Sequence, residues 1–150
     1  MKRVSDSYAE QVHVLTLSNI NGYNRLFGGQ LMQWIDEIAA VVARRHSGKN
    51  VTTAFVDMLR FRKAAKANDT VIVRGYITYV GTTSMEIKVN SYVEKLSGER
   101  VLINEAYIVM VAIDENEKPT PVPELELVTE EERAEWEAAK LRRERRREVF

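Results

Sequence analysis

The chain has 150 residues, 45% of them hydrophobic, with 22 Lys and Arg against 22 Asp and Glu and no cysteine. That is enough apolar material for one sizeable core, so a single domain with a tail is expected, and the balanced charge argues against a nucleic-acid binder, which carries a basic excess. The lack of thiols excludes disulfides, thiolate catalysis and cysteine-ligated zinc, and no apolar run approaches the roughly 18 residues needed to span a bilayer.

In chain order, residues 1–10 are polar and read as an arm or short cap. They lack the apolar core and cleavage site of a signal peptide, so a cytoplasmic location is expected. Residues 13–17 read as a short strand, with Leu15 and Leu17 on one face at a period of two and His13 on the same side. No carboxylate or nucleophile adjoins His13 in sequence, which favours a structural strand residue over a base. A loop at Ser18-Asn19-Ile20-Asn21 follows. From Leu31, the positions Leu31, Ile35, Ile38 and Val42 keep the three-and-four spacing of one helical face, and Ala39, Ala40 and Ala43 would let that helix lie close against a sheet. This is the best candidate for a buried central helix. Arg44-Arg45-His46 suit the negative end of its dipole, and Gly48 is placed to terminate it. His46 reads as a capping-region residue, and with only two histidines no metal site is expected.

From Val51 the period changes. Residues 51–61 alternate as a strand expected to be largely covered by the helix, and residues 62–69 form a basic connection ending in a turn signal. Residues 70–80, 84–94 and 101–114 read as three strands joined by short turns, hence an antiparallel meander. A short strand, one long helix and four strands make an α+β domain in which an antiparallel sheet wraps around a long central helix. Pro119, Pro121 and Pro123 oppose both helix and central strand and mark the end of this domain, taken as residues 1–123. In the remaining segment, 124–150, Thr129-Glu130-Glu131-Glu132 offers a capping box to a charged C-terminal helix over residues 133–147, acidic first and basic last. That helix is expected to be solvated or to cover a partner, with an RNA- or phosphate-binding tail as the alternative.

The start of the central helix carries the chemistry. Gly28 and Gly29 have no side chains to block access, so the first unpaired N–H groups of the helix could hold a carbonyl oxygen or an anion. Asp36 stands about two turns further on, roughly 10 Å along the axis. A carboxylate on an otherwise mostly apolar helix needs a partner or a job. The plain alternatives are a tight turn at the glycine pair and a solvated acidic position beside Glu37.

Asn21, Leu26-Phe27-Gly28-Gly29, Leu31-Met32 and Asp36, together with the Gly81-Thr82-Thr83-Ser84 turn, give a chain that over residues 17–123 closely resembles the hotdog-fold acyl-CoA thioesterase family of broad-range bacterial acyl-CoA hydrolases. The resemblance implies a hotdog fold, hydrolysis of an acyl-CoA with no cofactor beyond the coenzyme A of the substrate, and homo-oligomers built as dimers or trimers of dimers. It also implies Asp36 and Asn21 as the catalytic pair. The residues themselves are compatible with that chemistry. The oxygen of a thioester under attack acquires negative charge that the Gly28 and Gly29 amides could stabilise. Asn21 could orient water or the carbonyl, and Asp36 could act as general base or as nucleophile. Because roughly 10 Å separates Asp36 from the start of its own helix, the carboxylate should be supplied by a second chain across a two-fold dimer.

For the phosphates of coenzyme A, Arg60, Arg62, Lys63 and Lys66 form the densest positive group outside the tail. Thr82, Thr83 and Ser84 offer hydroxyls, and Asn24 and Phe27 complete the candidate binding set; a solvated basic loop and an ordinary hairpin turn are the alternatives. The chain departs from the family pattern at Asn24, where a Gly is common, and at Ala64, where a Pro is common. A module that binds acyl-CoA without turnover is the alternative function. A dehydratase would need a histidine on or before the central helix, and none lies between positions 14 and 45. A scaffold would leave Asp36 without a reason.

Overall fold

The apolar stripe beginning at Leu31 dictates one long helix that must be buried, and the chain gives it a sheet to lie on. In the computed structural model, which describes residues 1–149, helix α2 (Gly28–Ser47) joins strand β2 (Ala9–Val14) to strand β3 (Asn50–Phe61). Those two strands form opposite edges of a five-stranded sheet whose order is β2, β4 (Thr70–Val80), β5 (Ser84–Glu94), β6 (Arg100–Ile113), β3, with every neighbour antiparallel. The helix therefore crosses one face of the sheet from edge to edge and touches all five strands.

Along α2, Leu31, Trp34, Ile35, Ile38, Ala39, Val42 and Ala43 are buried against inward-facing Val71, Val73, Ile77, Met85, Ile87, Val89, Ile108 and Met110. Close approach is enforced on β4 by Gly75, where a Cβ would lie 3.3 Å from Val42 Cγ2. The expected C-terminal stop is present: Gly48 adopts φ +67° and donates its N–H to Arg44 O, a left-handed cap that glycine accepts at little cost.

The second layer is the C-terminal helix α3 (Glu130–Val149), which follows the short strand β7 (Leu125–Glu126). β7 pairs in parallel with β1 (Lys2–Arg3), and a single helical turn α1 (Val4–Ser7) leads from there into β2. Thr129 Oγ1 accepts the Glu132 N–H, and the Glu132 carboxylate reaches back to the Val128 N–H, so the capping signal works one residue out of register. α3 lies on the outer face of the sheet, with Trp136 against Tyr79 at 4.2 Å between ring centroids and Arg142 buried.

Three expectations change. The first long strand runs over Ala9–Val14 and not 13–17, and Leu17 sits in a 3-10 turn, Leu17–Asn19, at 80% exposure. The inward positions of β2 include Gln11 and His13, and His13 stacks on Trp34 at 3.8 Å. Strand β3 is an edge, bulged at two places and mostly exposed. Finally, the basic run of α3 is not simply solvated, because Arg142 and Arg146 form ion pairs with Glu86 on β5.

Candidate active site

The loop before α2 is closed on itself. Asn21 Oδ1 accepts the N–H groups of Tyr23 and Arg25, at 2.9 and 3.3 Å, and the Asn21 N–H donates to Arg25 O. Those contacts orient the amide and leave its Nδ2 group without a protein partner among the described residues. Asn24 has φ +58°, the left-handed conformation that glycine and asparagine tolerate best. The structure thus gives Asn24 a backbone role in the turn, which accounts for the exchange of Gly for Asn there. Leu26 N–H to Ala65 O and Phe27 N–H to Asn19 O hold the loop at the helix start.

Phe27 is the N-cap of α2 and supplies no side-chain cap, so the Gly28 and Gly29 amides begin the helix without an intrahelical acceptor. The Phe27 ring lies over Gly29, where a Cβ would sit 2.8 Å from Phe27 Cε1, and Phe61 is 3.9 Å from a Cβ at Gly28. Asn21, Phe61, Arg62 and Lys63 line a cleft of about 260 Å³ at this end of the helix. Glu105 holds Arg62 there through Nε and Nη2. Arg60 and Lys66 are exposed and do not line the cleft.

Asp36 lies elsewhere. Its Oδ1 accepts the Thr53 Oγ1 proton at 2.6 Å, and it borders an apolar slot of about 150 Å³ lined by Met32, Ile35, Val56, Leu59 and Ile108. The two cavities share no lining residue. Within one protomer, Asn21 and Asp36 therefore line separate cavities. Thr53 is the polar partner that sequence reading missed. It sits inside a β-branched strand run, and only the register of β3 against α2 reveals its neighbour.

The Gly81–Ser84 turn is in a third place, on the face of the sheet away from α2, where Ser84 lines a cavity with Tyr79 and Arg143. The two histidines serve packing. Burial holds both pKa values below the ordinary one. His46 Nε2 donates to Pro123 O at 2.8 Å, anchoring the proline segment to the end of α2. Among the described residues, no three His, Asp or Glu side chains converge on a possible metal position.

The sequence model of the thioesterase superfamily matches residues 23–97. An uncharacterized acyl-CoA thioester hydrolase of Bacillus subtilis, YkhA, is 44% identical over 113 residues, covering 75% of this chain and 66% of that protein. The cytosolic acyl coenzyme A thioester hydrolase of Rattus norvegicus is 31% identical over 140 residues, covering 91% of this chain and 37% of the relative. The chain thus spans less than two thirds of the length of either curated relative. Among solved structures, an apo-hexameric acyl-CoA thioesterase superposes with a TM-score of 0.94 at 37% identity, covering 99% and 97% of the two chains. The acyl-CoA hydrolase of Staphylococcus aureus, solved with butyryl coenzyme A and coenzyme A, gives 0.93 at 32% identity over 98% and 90%. Structures of that hydrolase include alanine variants of an asparagine, an aspartate and a threonine spaced by 15 and 17 residues. With half of its length matched by the model and nearly all of it by these hotdog structures, the chain belongs to the thioesterase superfamily.

Proposed function

We propose that the chain hydrolyses acyl-CoA thioesters at a site composed by two copies, each supplying half. The observation that carries this reading is the Asp36 carboxylate, oriented by a 2.6 Å bond from Thr53 and bordering an apolar slot away from its own Asn21 cleft. Asn21, Asp36 and Thr53 also stand at spacings of 15 and 17 residues, as do the three substituted positions of the Staphylococcus aureus hydrolase.

Exposed apolar side chains surround the break between the two halves. Phe27, Met32, Val56 and Phe61 are between 44% and 56% exposed, a cluster suited to association, and they adjoin the open edge of β3. A two-fold axis beside that edge would pair β3 with its copy and carry Asp36 of one chain toward Asn21 and the glycine pair of the other.

In this assembly the thioester carbonyl oxygen accepts hydrogen bonds from the Gly28 and Gly29 amides, a few kcal/mol of barrier lowering per donor as negative charge develops. Asn21 holds the carbonyl or the incoming water through Nδ2. Asp36 from the other copy removes the water proton as it attacks, or itself attacks the carbonyl carbon and is released by water. Collapse of the tetrahedral intermediate expels the CoA thiolate, which takes up the proton, and leaves the free acid. The acyl chain occupies the apolar slot beside Asp36. Arg62 and Lys63 at the mouth of the Asn21 cleft, with Arg60 nearby on β3, meet CoA phosphates.

Steady-state release of free CoA thiol from short, medium and long acyl-CoAs, with oligomeric state measured in parallel, tests this. Turnover that disappears in a variant held monomeric is expected. Tight acyl-CoA binding with no turnover on any substrate would replace hydrolysis by ligand sensing.

A further inference from the structure

Ahead of α2 the chain runs out and back as a small closed loop with three rungs. The Asn21 N–H donates to Arg25 O, Ile20 and Leu26 form an antiparallel bridge, and the Phe27 N–H donates to Asn19 O at 2.8 Å. One leg carries Asn21, and the other leads directly into Gly28 and Gly29. The rung at Asn19 is the last before the helix, so it fixes the Asn21 leg against the helix start.

Asn19 is held at both ends of its own side chain. Oδ1 accepts from Thr16, through the N–H at 2.9 Å and Oγ1 at 3.0 Å, at the 3-10 turn Leu17–Asn19. Nδ2 donates to Gln30 Oε1 in the first turn of α2 at 3.2 Å, a half-buried bond between residues 11 positions apart. Asparagine supplies this acceptor and this donor from one planar group.

The sense of the bond to Gln30 is set further along the helix. Gln30 Nε2 donates to Gln33 Oε1 at 3.3 Å, and Gln33 Nε2 donates to Glu37 Oε1 at 2.9 Å. An amide can present either end to a neighbour, but an ionised carboxylate only accepts. Glu37 therefore turns the Gln33 amide nitrogen toward itself, which leaves the Gln33 oxygen for Gln30 and the Gln30 oxygen for Asn19.

We infer that Asn19 and Gln30 are positioning residues, which clamp the loop carrying Asn21 to the helix start carrying the Gly28 and Gly29 amides, with Glu37 orienting the amides that make the clamp. The clamp stands on the hydrogen bonds alone, and its effect on turnover rests on the hydrolase reading. Donors that stabilise a developing oxyanion act by being held in place beforehand, so a loosened clamp lowers kcat and leaves KM unchanged.

Gln30→Met, which keeps the length of the side chain and removes the acceptor, should lower kcat for acyl-CoA hydrolysis about tenfold, the scale of one hydrogen bond. Asn19→Ala should lose at least as much. The double variant should be no worse than Asn19→Ala, because partners in one bond are not additive. Glu37→Lys, which can only donate and so reverses the amides, should lower kcat by less than Gln30→Met. Hydrogen exchange of the amides of residues 20–29 supplies a readout that needs no turnover: it should be faster in Asn19→Ala and Gln30→Met, with exchange in β5 unchanged. If wild type turns nothing over while exchange responds in this way, the hydrolase reading fails and the clamp stands. Losses that multiply in the double variant, a raised KM at constant kcat, or unchanged exchange in Gln30→Met would overturn the clamp.

Discussion

The two faces of the sheet bury opposite kinds of side chain. Against α2, the inner face is a layer of Val, Ile and Met, and the carboxylate placed at its margin, Asp36, is exposed with one neutral donor, Thr53. Against α3, the outer face buries a carboxylate outright: Glu86 is 2% exposed, and its two oxygens accept from Thr78 Oγ1, from Arg142 through Nε and Nη2, and from Arg146 Nη1. Arg142 is further packed over the Tyr107 ring at 3.8 Å. Glu86 has every lone pair answered by fixed cations and donors, so it has nothing left with which to attack a substrate. Asp36 keeps an unoccupied oxygen beside an apolar slot. A carboxylate is available for chemistry according to its partners, and burial alone would have chosen the wrong one.

The largest expected effect tests the structural half of this contrast. Glu86→Ala leaves Arg142 packed without its counter-ion and Arg146 with Asp57 alone, and should destabilise the fold by about 3–5 kcal/mol in urea denaturation, the usual cost of breaking a buried pair by removing one partner. A loss below about 1 kcal/mol would mean that the outer network is hydrated, and the distinction between the two faces would lapse. Next comes the chemical half. Asp36→Ala should lower kcat for acyl-CoA hydrolysis at least about a hundredfold, the scale of a general base, while shifting stability by no more than about 0.5 kcal/mol, as expected for an exposed site. If kcat survives, the catalytic carboxylate lies elsewhere. A third substitution sharpens the role of the neutral donor. Thr53→Ala should cost about tenfold in kcat, one hydrogen bond to a charged group, and Thr53→Ser, which keeps the hydroxyl, should stay near wild type. Equal losses in both variants would show that the threonine methyl, and not its hydroxyl, positions Asp36.

How much of this could be read beforehand follows the same division. The inner layer was legible because Leu31, Ile35, Ile38 and Val42 repeat at helical spacing, the strands of the meander alternate, and Gly48 and the turn at Gly81 punctuate them. β2 was misplaced because its pattern is inverted: Val12 and Val14 face outward at 59% and 61% exposure, while polar Gln11 and His13 face in. The exposure of β3 was hidden for a different reason, since a strand rich in Val, Thr and Phe reads as covered whether its cover is its own helix or a second copy. Asn21, the glycine pair and Asp36 could be listed as candidates, but their separation into two cavities could not, because cavity walls are set by how helix and sheet register. The pairing of Glu86 with Arg142 joins residues 56 positions apart. A run of arginines in sequence looks the same whether it meets water or a buried carboxylate.

The smallest effect concerns the junction of the two layers, where His46 at the end of α2 holds the proline segment leading toward α3. The ring is fully buried, Nε2 donates to Pro123 O, and Nδ1 has no hydrogen-bond partner among the described residues. Burial holds its pKa below the ordinary 6.5, helped by the positive charges of Lys2 and the N-terminus, with Pro123 O and Asp6 opposing. The sign follows from which state takes the proton first. Below about pH 6.5 the unfolded chain protonates its histidine while the folded chain does not, so the stabilising contribution is complete above that value and is lost as pH falls toward the folded pKa. The loss cannot exceed the one-proton slope of about 1.4 kcal/mol per pH unit. Urea denaturation at pH 7.5 and pH 5.5 should therefore show wild type losing more stability on acidification than His46→Gln, which keeps a donor for Pro123 O but does not titrate. An equal loss in both proteins would place the acid sensitivity elsewhere, with His13 against Trp34 as the next residue to change.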